Sequence, residues 1–256
     1  MIDEELQRKA NDLRKICLRK SHDTRASHIG SIFSIMDILV YLYYSGYMHD
    51  NDKLILSKGH AVLGLYAILQ DLKIITTEQF NSYRTNGSRL IEHPSHQING
   101  IHVSTGSLGH GLAISIGLAL ASPKRQIYCV MGDGECQEGS VWESAIIASR
   151  LKLKNLTIVV DYNKYQGFSD SSELIFSKSK MLKMFSALNF LVVEIDGHNF
   201  KDIKRAFSCQ DQEERTKVII ASTIKGKGVS FMEDHFEWHY KSPDDIQLKT
   251  ALKELS

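Results

Sequence analysis

Gln126-Ile127-Tyr128-Cys129-Val130-Met131 runs straight into Gly132-Asp133-Gly134-Glu135-Cys136-Gln137-Glu138-Gly139, and this junction decides the fold. The first six residues are a short, mostly apolar run of strand character. The next eight form a glycine-rich turn carrying carboxylates and an amide. The same change recurs where Leu156–Asp161 passes into Tyr162-Asn163-Lys164-Tyr165. Further strand-like runs lie at Phe190–Ile195 and Lys217–Ser222, and helical patterns fill 140–151, 179–188 and 199–208. Strands alternating with helices predict an α/β fold, its mostly parallel sheet covered by helices on both faces. Such sheets bind ligands beyond the carboxyl ends of their strands, so the chemistry is to be sought just after Met131 and Asp161.

The first half of the chain reads as helices at 4–25, Ser34–Tyr44, 59–70 and 108–121, with Ser34 as N-cap of the second and Asp37 in its first turn. A charged helix is expected after His239. Only Pro94, Pro123 and Pro243 interrupt the pattern, and no Pro- or Ser-rich linker or repeat divides it. Residues 1–256 are therefore read as one domain, large enough to bury a core.

A formal net charge of +1 gives no global field for nucleic acid or an anionic membrane. The apolar run at 112–121 is too short to span a bilayer, and the acidic start Met1-Ile2-Asp3-Glu4-Glu5 does not read as a signal peptide. Cys17, Cys129, Cys136 and Cys209 form no C-x-x-C pair, which favours reduced thiols over a zinc site or disulfide frame and points to the cytoplasm.

Asp133 and Asn163 each follow a strand with an oxygen-bearing side chain. A hard cation such as Mg²⁺, or Ca²⁺, takes oxygen ligands and shares them with phosphate. A carbonyl near Tyr165 could add a third ligand, and the amides of a helix starting near Ser140 could face the anion. Taken singly, a Gly-Asp-Gly is a turn and an Asn after a strand is a cap or Asx-turn. Their occurrence at two successive strand ends favours a diphosphate–metal site.

Gly132-Asp133-Gly134, followed after one helix and one strand by Asp161-Tyr162-Asn163, resembles the thiamine diphosphate motif, and the extension through Gln137-Glu138-Gly139 is similar to transketolases. Tyr162-Asn163 stands where the motif often has two asparagines. The resemblance runs from about Asp12 to Pro243 and covers the N-terminal half of a full-length transketolase. It implies the thiamine-diphosphate-binding fold. It also implies Asp133, Asn163 and the Tyr165 carbonyl on the metal, Gly134 and Asn163 at the diphosphate, and Glu138 near a subunit interface.

The same resemblance sorts the histidines. His60 in Ser57-Lys58-Gly59-His60 and His239 after Trp238 match residues that approach the cofactor. His28 and His93 match residues that face substrate, so His28, His93 and His239 are the catalytic candidates. Imidazoles suit both tasks, donating to phosphate and moving protons near neutral pH. Gly106 and Leu108 match a loop that packs the cofactor, and His110 is read as structural. One departure stands out. The family reads Ser-Gly-His-x-Gly-Gly-Ser where this chain has Ala26-Ser27-His28-Ile29-Gly30-Ser31-Ile32, which implies an unusual sugar substrate.

In transketolases a second domain supplies the glutamate that activates the cofactor and the aromatic platform for its pyrimidine. Too few residues follow His239 to form one. The resemblance thus implies the N-terminal subunit of a two-chain enzyme moving a two-carbon ketol unit between sugars or sugar phosphates. Its partner is a separate C-terminal, pyrimidine-binding subunit in a heterotetramer. Without partners, the strand-end face around Gly106–Leu108 and Glu138–Trp142 is expected to be partly apolar and exposed. The alternatives are a 1-deoxyxylulose-phosphate-synthase-like half, a non-catalytic cofactor-binding regulatory subunit, and a histidine-based metallohydrolase. The last is disfavoured by the dispersal of the histidines along the chain.

Overall fold

The computed structural model describes residues 2–167 and 177–256. Five strands, β1 (Lys53–Leu56), β2 (Ile127–Gly132), β3 (Leu156–Tyr162), β4 (Leu191–Asp196) and β5 (Lys217–Ser222), form a parallel sheet in the order β1-β2-β3-β5-β4. Every residue of β2 and β3 is buried, as expected for strands covered on both sides.

Alternation along the strands builds two cores. Tyr128, Val130, Val159 and Ile219 pack on one face against α1 (Asp3–Thr24), α2 (Ile29–Tyr44), α3 (Val62–Asp71), α8 (Phe200–Ser208) and α9 (Asp245–Glu254). Ile127, Cys129, Met131, Ile158, Val160 and Ile220 pack on the other against α5 (His110–Ala121), α6 (Gly139–Leu151) and α7 (Lys178–Ala187). The period of two sends successive side chains to opposite layers, so a continuous apolar strand serves both. A short helix, α4 (Thr77–Asn81), adds Phe80 to the first of these cores. Cys17, Cys129 and Cys136 are buried free thiols, and burial holds each in the protonated form. Among the described residues no helix is long and apolar enough to cross a membrane.

Two local expectations change, the start of the second helix and the place of Asp37 in it. α2 starts at Ile29 rather than after Ser34, with His28 at the N-cap in the left-handed region at φ 69°. Ser34 is buried and donates to Asp161 at 2.6 Å instead of capping. Asp37 lies in the middle of α2, where it accepts from both terminal nitrogens of Arg14 at 3.0 and 2.6 Å. At the face around Gly106–Leu108 and Glu138–Trp142, Ser107, Glu138 and Gly139 are exposed, Leu108 is half-buried, and Trp142 is half-buried with its indole N–H on the Cys136 carbonyl. The exposed apolar side chains of this layer lie further along, at Leu120 on α5 and at Ile146, Ile147 and Leu151 on α6.

Candidate active site

The carboxyl ends of β1, β2 and β3 border a cleft of about 370 Å³. Every residue read from the sequence as catalytic, cofactor-binding or metal-binding lines it: His28, His60, His93, His239, Gly106, Leu108, Asp133, Gly134, Glu138, Asn163 and Tyr165. A cavity of about 540 Å³ lies at the other end of the strands, but its cations are already engaged. Lys154 pairs with Glu214, Arg215 with Asp211, and Lys217 with the carbonyls of Ala206 and Phe207. Size alone therefore does not mark the site.

Asp133 is braced between two strand ends. Its Oδ1 accepts from the N–H of Gly134 at 2.8 Å and its Oδ2 from the N–H of Lys164 at 2.7 Å. Asn163 is oriented by Asp161: its Nδ2 donates to Asp161 Oδ2 at 3.3 Å, while its Oδ1 accepts from Tyr165 N–H at 3.0 Å. Both side chains are buried. A carboxylate and an amide oxygen on rigid strand ends form a hard-oxygen donor set. Among the described residues, no group of three or more His, Cys, Asp or Glu side chains is arranged to hold a metal.

The backbone comes close at two glycines. A Cβ on Gly134 would stand 2.7 Å from Gln166 Cβ, and one on Gly106 would stand 2.9 Å from His93 Cδ2. Only glycine lets these two loops reach the cleft as they do.

Three imidazoles form one cluster, with ring centroids 5.3 Å apart for His28 and His60, 5.0 Å for His28 and His239, and 5.6 Å for His60 and His239. Burial, reinforced by the cations of Lys58 and Lys225, lowers His239 to about 3 and holds His60 well below its usual range. Burial lowers His28 to about 4 against the opposing pull of Glu92. All three are neutral at physiological pH. Among the described residues His28 Nδ1 is buried with no hydrogen-bond partner, a costly state that a ligand atom would relieve.

Sequence reasoning gave no role to the charges beneath the cleft. Lys58, after β1, pairs with Asp161 at the end of β3, and both are out of water. Burial raises the Asp161 pKa, but Lys58, Ser34 and Thr223 outweigh it and keep the carboxylate ionised. Glu135 accepts from Ser57 hydroxyl, Gly109 N–H and Gly132 N–H, tying β1, β2 and the start of α5 together; burial is the largest cause of its raised pKa. Lys225, after β5, is also fully buried. The strand-end position that marked Asp133 and Asn163 also marks Lys225, after the Lys217–Ser222 run, so the same rule could have found it; Lys58 follows a strand too short to read in the sequence.

Fold and site together define a parallel α/β protein whose strand ends offer oxygen donors, close-approaching backbone and neutral imidazoles, a cleft built for an anionic cofactor. The chain belongs to the transketolase family: residues 6–253 match the family described as transketolase, thiamine diphosphate binding domain. It is 35% identical to one of the subunits of an apulose-4-phosphate transketolase from Actinobacillus succinogenes, over 98% of this chain and 96% of that one. It is 33% identical to a 6-deoxy-6-sulfo-D-fructose transketolase subunit from Clostridium sp., with the same coverage of 98% and 96%. Among solved structures, the transketolase from Campylobacter jejuni superposes with a TM-score of 0.91 at 27% identity, covering 100% of this chain but 43% of that one.

Proposed function

We propose that this chain is the diphosphate-binding subunit of a two-chain, thiamine-diphosphate-dependent transketolase, inactive without a separate pyrimidine-binding subunit. One observation carries the reading. The chain spans 96% of a relative that is named as one subunit of its enzyme, yet only 43% of a solved transketolase. On this reading 1–256 act as one diphosphate- and metal-binding domain.

Asp133, Asn163 and the Tyr165 carbonyl hold Mg²⁺, or Ca²⁺ in its place, against the diphosphate. The donor set fits, because both side chains are buried, rigid and oxygen-bearing. Gly134 and His60 face the diphosphate, and Gly106 and Leu108 pack the cofactor. Thiamine diphosphate, when bound, supplies the carbon nucleophile that carries the two-carbon ketol unit between sugars. The protein's share is positioning and charge. His28 and His93 orient substrate hydroxyls, and the Nδ1 of His28, unpartnered among the described residues, accepts or donates there according to tautomer. Glu138, exposed at the rim, meets the partner.

The relatives named for apulose 4-phosphate and a sulfo-fructose support an unusual sugar as substrate. So does Ser31 beside the cleft. Two copies of each chain form the proposed heterotetramer, and reduced buried thiols suit the cytoplasm. The test is reconstitution. The isolated chain should not turn over any ketose with thiamine diphosphate and Mg²⁺, and adding the pyrimidine-binding subunit should restore transfer. Turnover by the chain alone would end the two-chain reading.

A further inference from the structure

Two lysines are buried beneath the cleft, and they differ in their partners. Lys58 has the Asp161 carboxylate. Lys225 has no carboxylate within ion-pair distance among the described residues. Its ammonium donates to Ser31 Oγ at 3.2 Å and lies 3.2 Å from His239 Nδ1. An ammonium offers donors and no acceptor, so this contact exists as a hydrogen bond only if Nδ1 is the acceptor. Burial, with Lys58 as a second cause, lowers Lys225 to about 8, so the ammonium persists at neutral pH.

The geometry leaves Lys225 little choice. A Cβ on Gly30 would stand 2.9 Å from Lys225 Cγ, so Gly30 opens the slot that the lysine stem fills. The backbone is pinned on both sides, by Ile224 N–H to His198 Nε2 at 2.8 Å and by Gly226 N–H to the Gly30 carbonyl at 3.0 Å. His239 is tied to the same corner, since His28 N–H donates to its carbonyl at 2.9 Å. Its Nε2 has no partner among the described residues, and the imidazole lines the cleft.

We propose that Lys225 is a positioning residue: held by Ser31, it fixes His239 in the tautomer that carries its proton on Nε2, so His239 serves the cleft as a hydrogen-bond donor and not as a base. A fixed Nε2–H beside a buried cation that has no carboxylate within ion-pair distance among the described residues suits an anionic oxygen, such as one of a diphosphate. That consequence rests on the proposed cofactor site; the tautomer does not.

The experiment is ¹⁵N-imidazole NMR on the purified chain near neutral pH without cofactor, with the His239 signals assigned by their loss in His239→Gln. We expect Nδ1 bare and Nε2 protonated. In Lys225→Met, folded by circular dichroism, the two nitrogens should shift toward an averaged mixture. Calorimetry with thiamine diphosphate and Mg²⁺ should then show affinity lower by roughly tenfold. Ser31→Ala should shift the signals less. A proton on Nδ1 in the unmodified chain would overturn the assignment, as would a folded Lys225→Met with unchanged His239 signals. If Lys225→Met does not fold, the unmodified spectrum still decides. The expected tautomer in a chain that binds no thiamine diphosphate would leave the Lys225 assignment standing and remove the cofactor reading.

Discussion

The carboxylate of Asp133, at the end of β2, accepts a hydrogen bond of 2.7 Å from the backbone N–H of Lys164, beyond the end of β3. One side chain thus locks two neighbouring strand ends and sets the spacing between Asp133 and Asn163. Asp133→Ala removes both a hard-oxygen donor and this brace. Thiamine diphosphate affinity in Mg²⁺ should fall by roughly a hundredfold or more, about 3 kcal/mol. Calorimetry checks this, and unchanged affinity would remove the metal assignment.

The histidines should separate into two groups. His60→Ala should weaken cofactor binding by about tenfold. His28→Ala and His93→Ala should lower kcat of the assembled enzyme by roughly a hundredfold at saturating cofactor. Kinetics at varied cofactor concentration distinguish them, and the reverse pattern would show the roles to be exchanged.

The buried Lys58–Asp161 pair should be visible in stability. Lys58→Met strands a carboxylate out of water and should cost about 3–5 kcal/mol. Replacing both residues, with Asp161→Asn, should cost less than Lys58→Met alone. Urea denaturation measures both, and a double variant no better than the single one would mean that Asp161 is satisfied without Lys58.

Acid sensitivity should begin with the histidines. Burial first, then neighbouring cations, depresses His28 to about 4 and His239 to about 3. The unfolded chain protonates its histidines near about 6.5 and so takes up protons before the folded one. Stability is full above that value and falls as pH drops through this window. Asp161 and Asp37 also have lowered values, the Lys58 and Arg14 cations overcoming burial, so a further loss follows below about 4. Urea midpoints should already fall between pH ~7.5 and ~5. A flat profile there would contradict the neutral-imidazole cluster.

Substrate preference should follow the Ala26–Ile32 departure. The reconstituted enzyme is expected to be slow with xylulose 5-phosphate and ribose 5-phosphate, and faster with a branched or substituted sugar. Efficient turnover of the two pentose phosphates would contradict it.

By itself the sequence determined the layers and the strand-end motifs. Apolar runs such as Leu156–Asp161 and turns such as Gly132-Asp133-Gly134 are local, and local geometry needs only neighbours in the chain. Strand β1 escaped notice because Lys53–Leu56 is too short for a period to show. The start of α2 also escaped, because Ser34 resembles a cap until Asp161 is placed beside it. Tertiary structure alone decided which buried polar groups meet: Lys58 with Asp161, Arg14 with Asp37, and Lys225 with His239. No spacing rule pairs residues on different strands and helices. The parallel sheet does so, because it brings the carboxyl ends of β1, β2, β3 and β5 to one edge, where buried charges must find partners or a ligand.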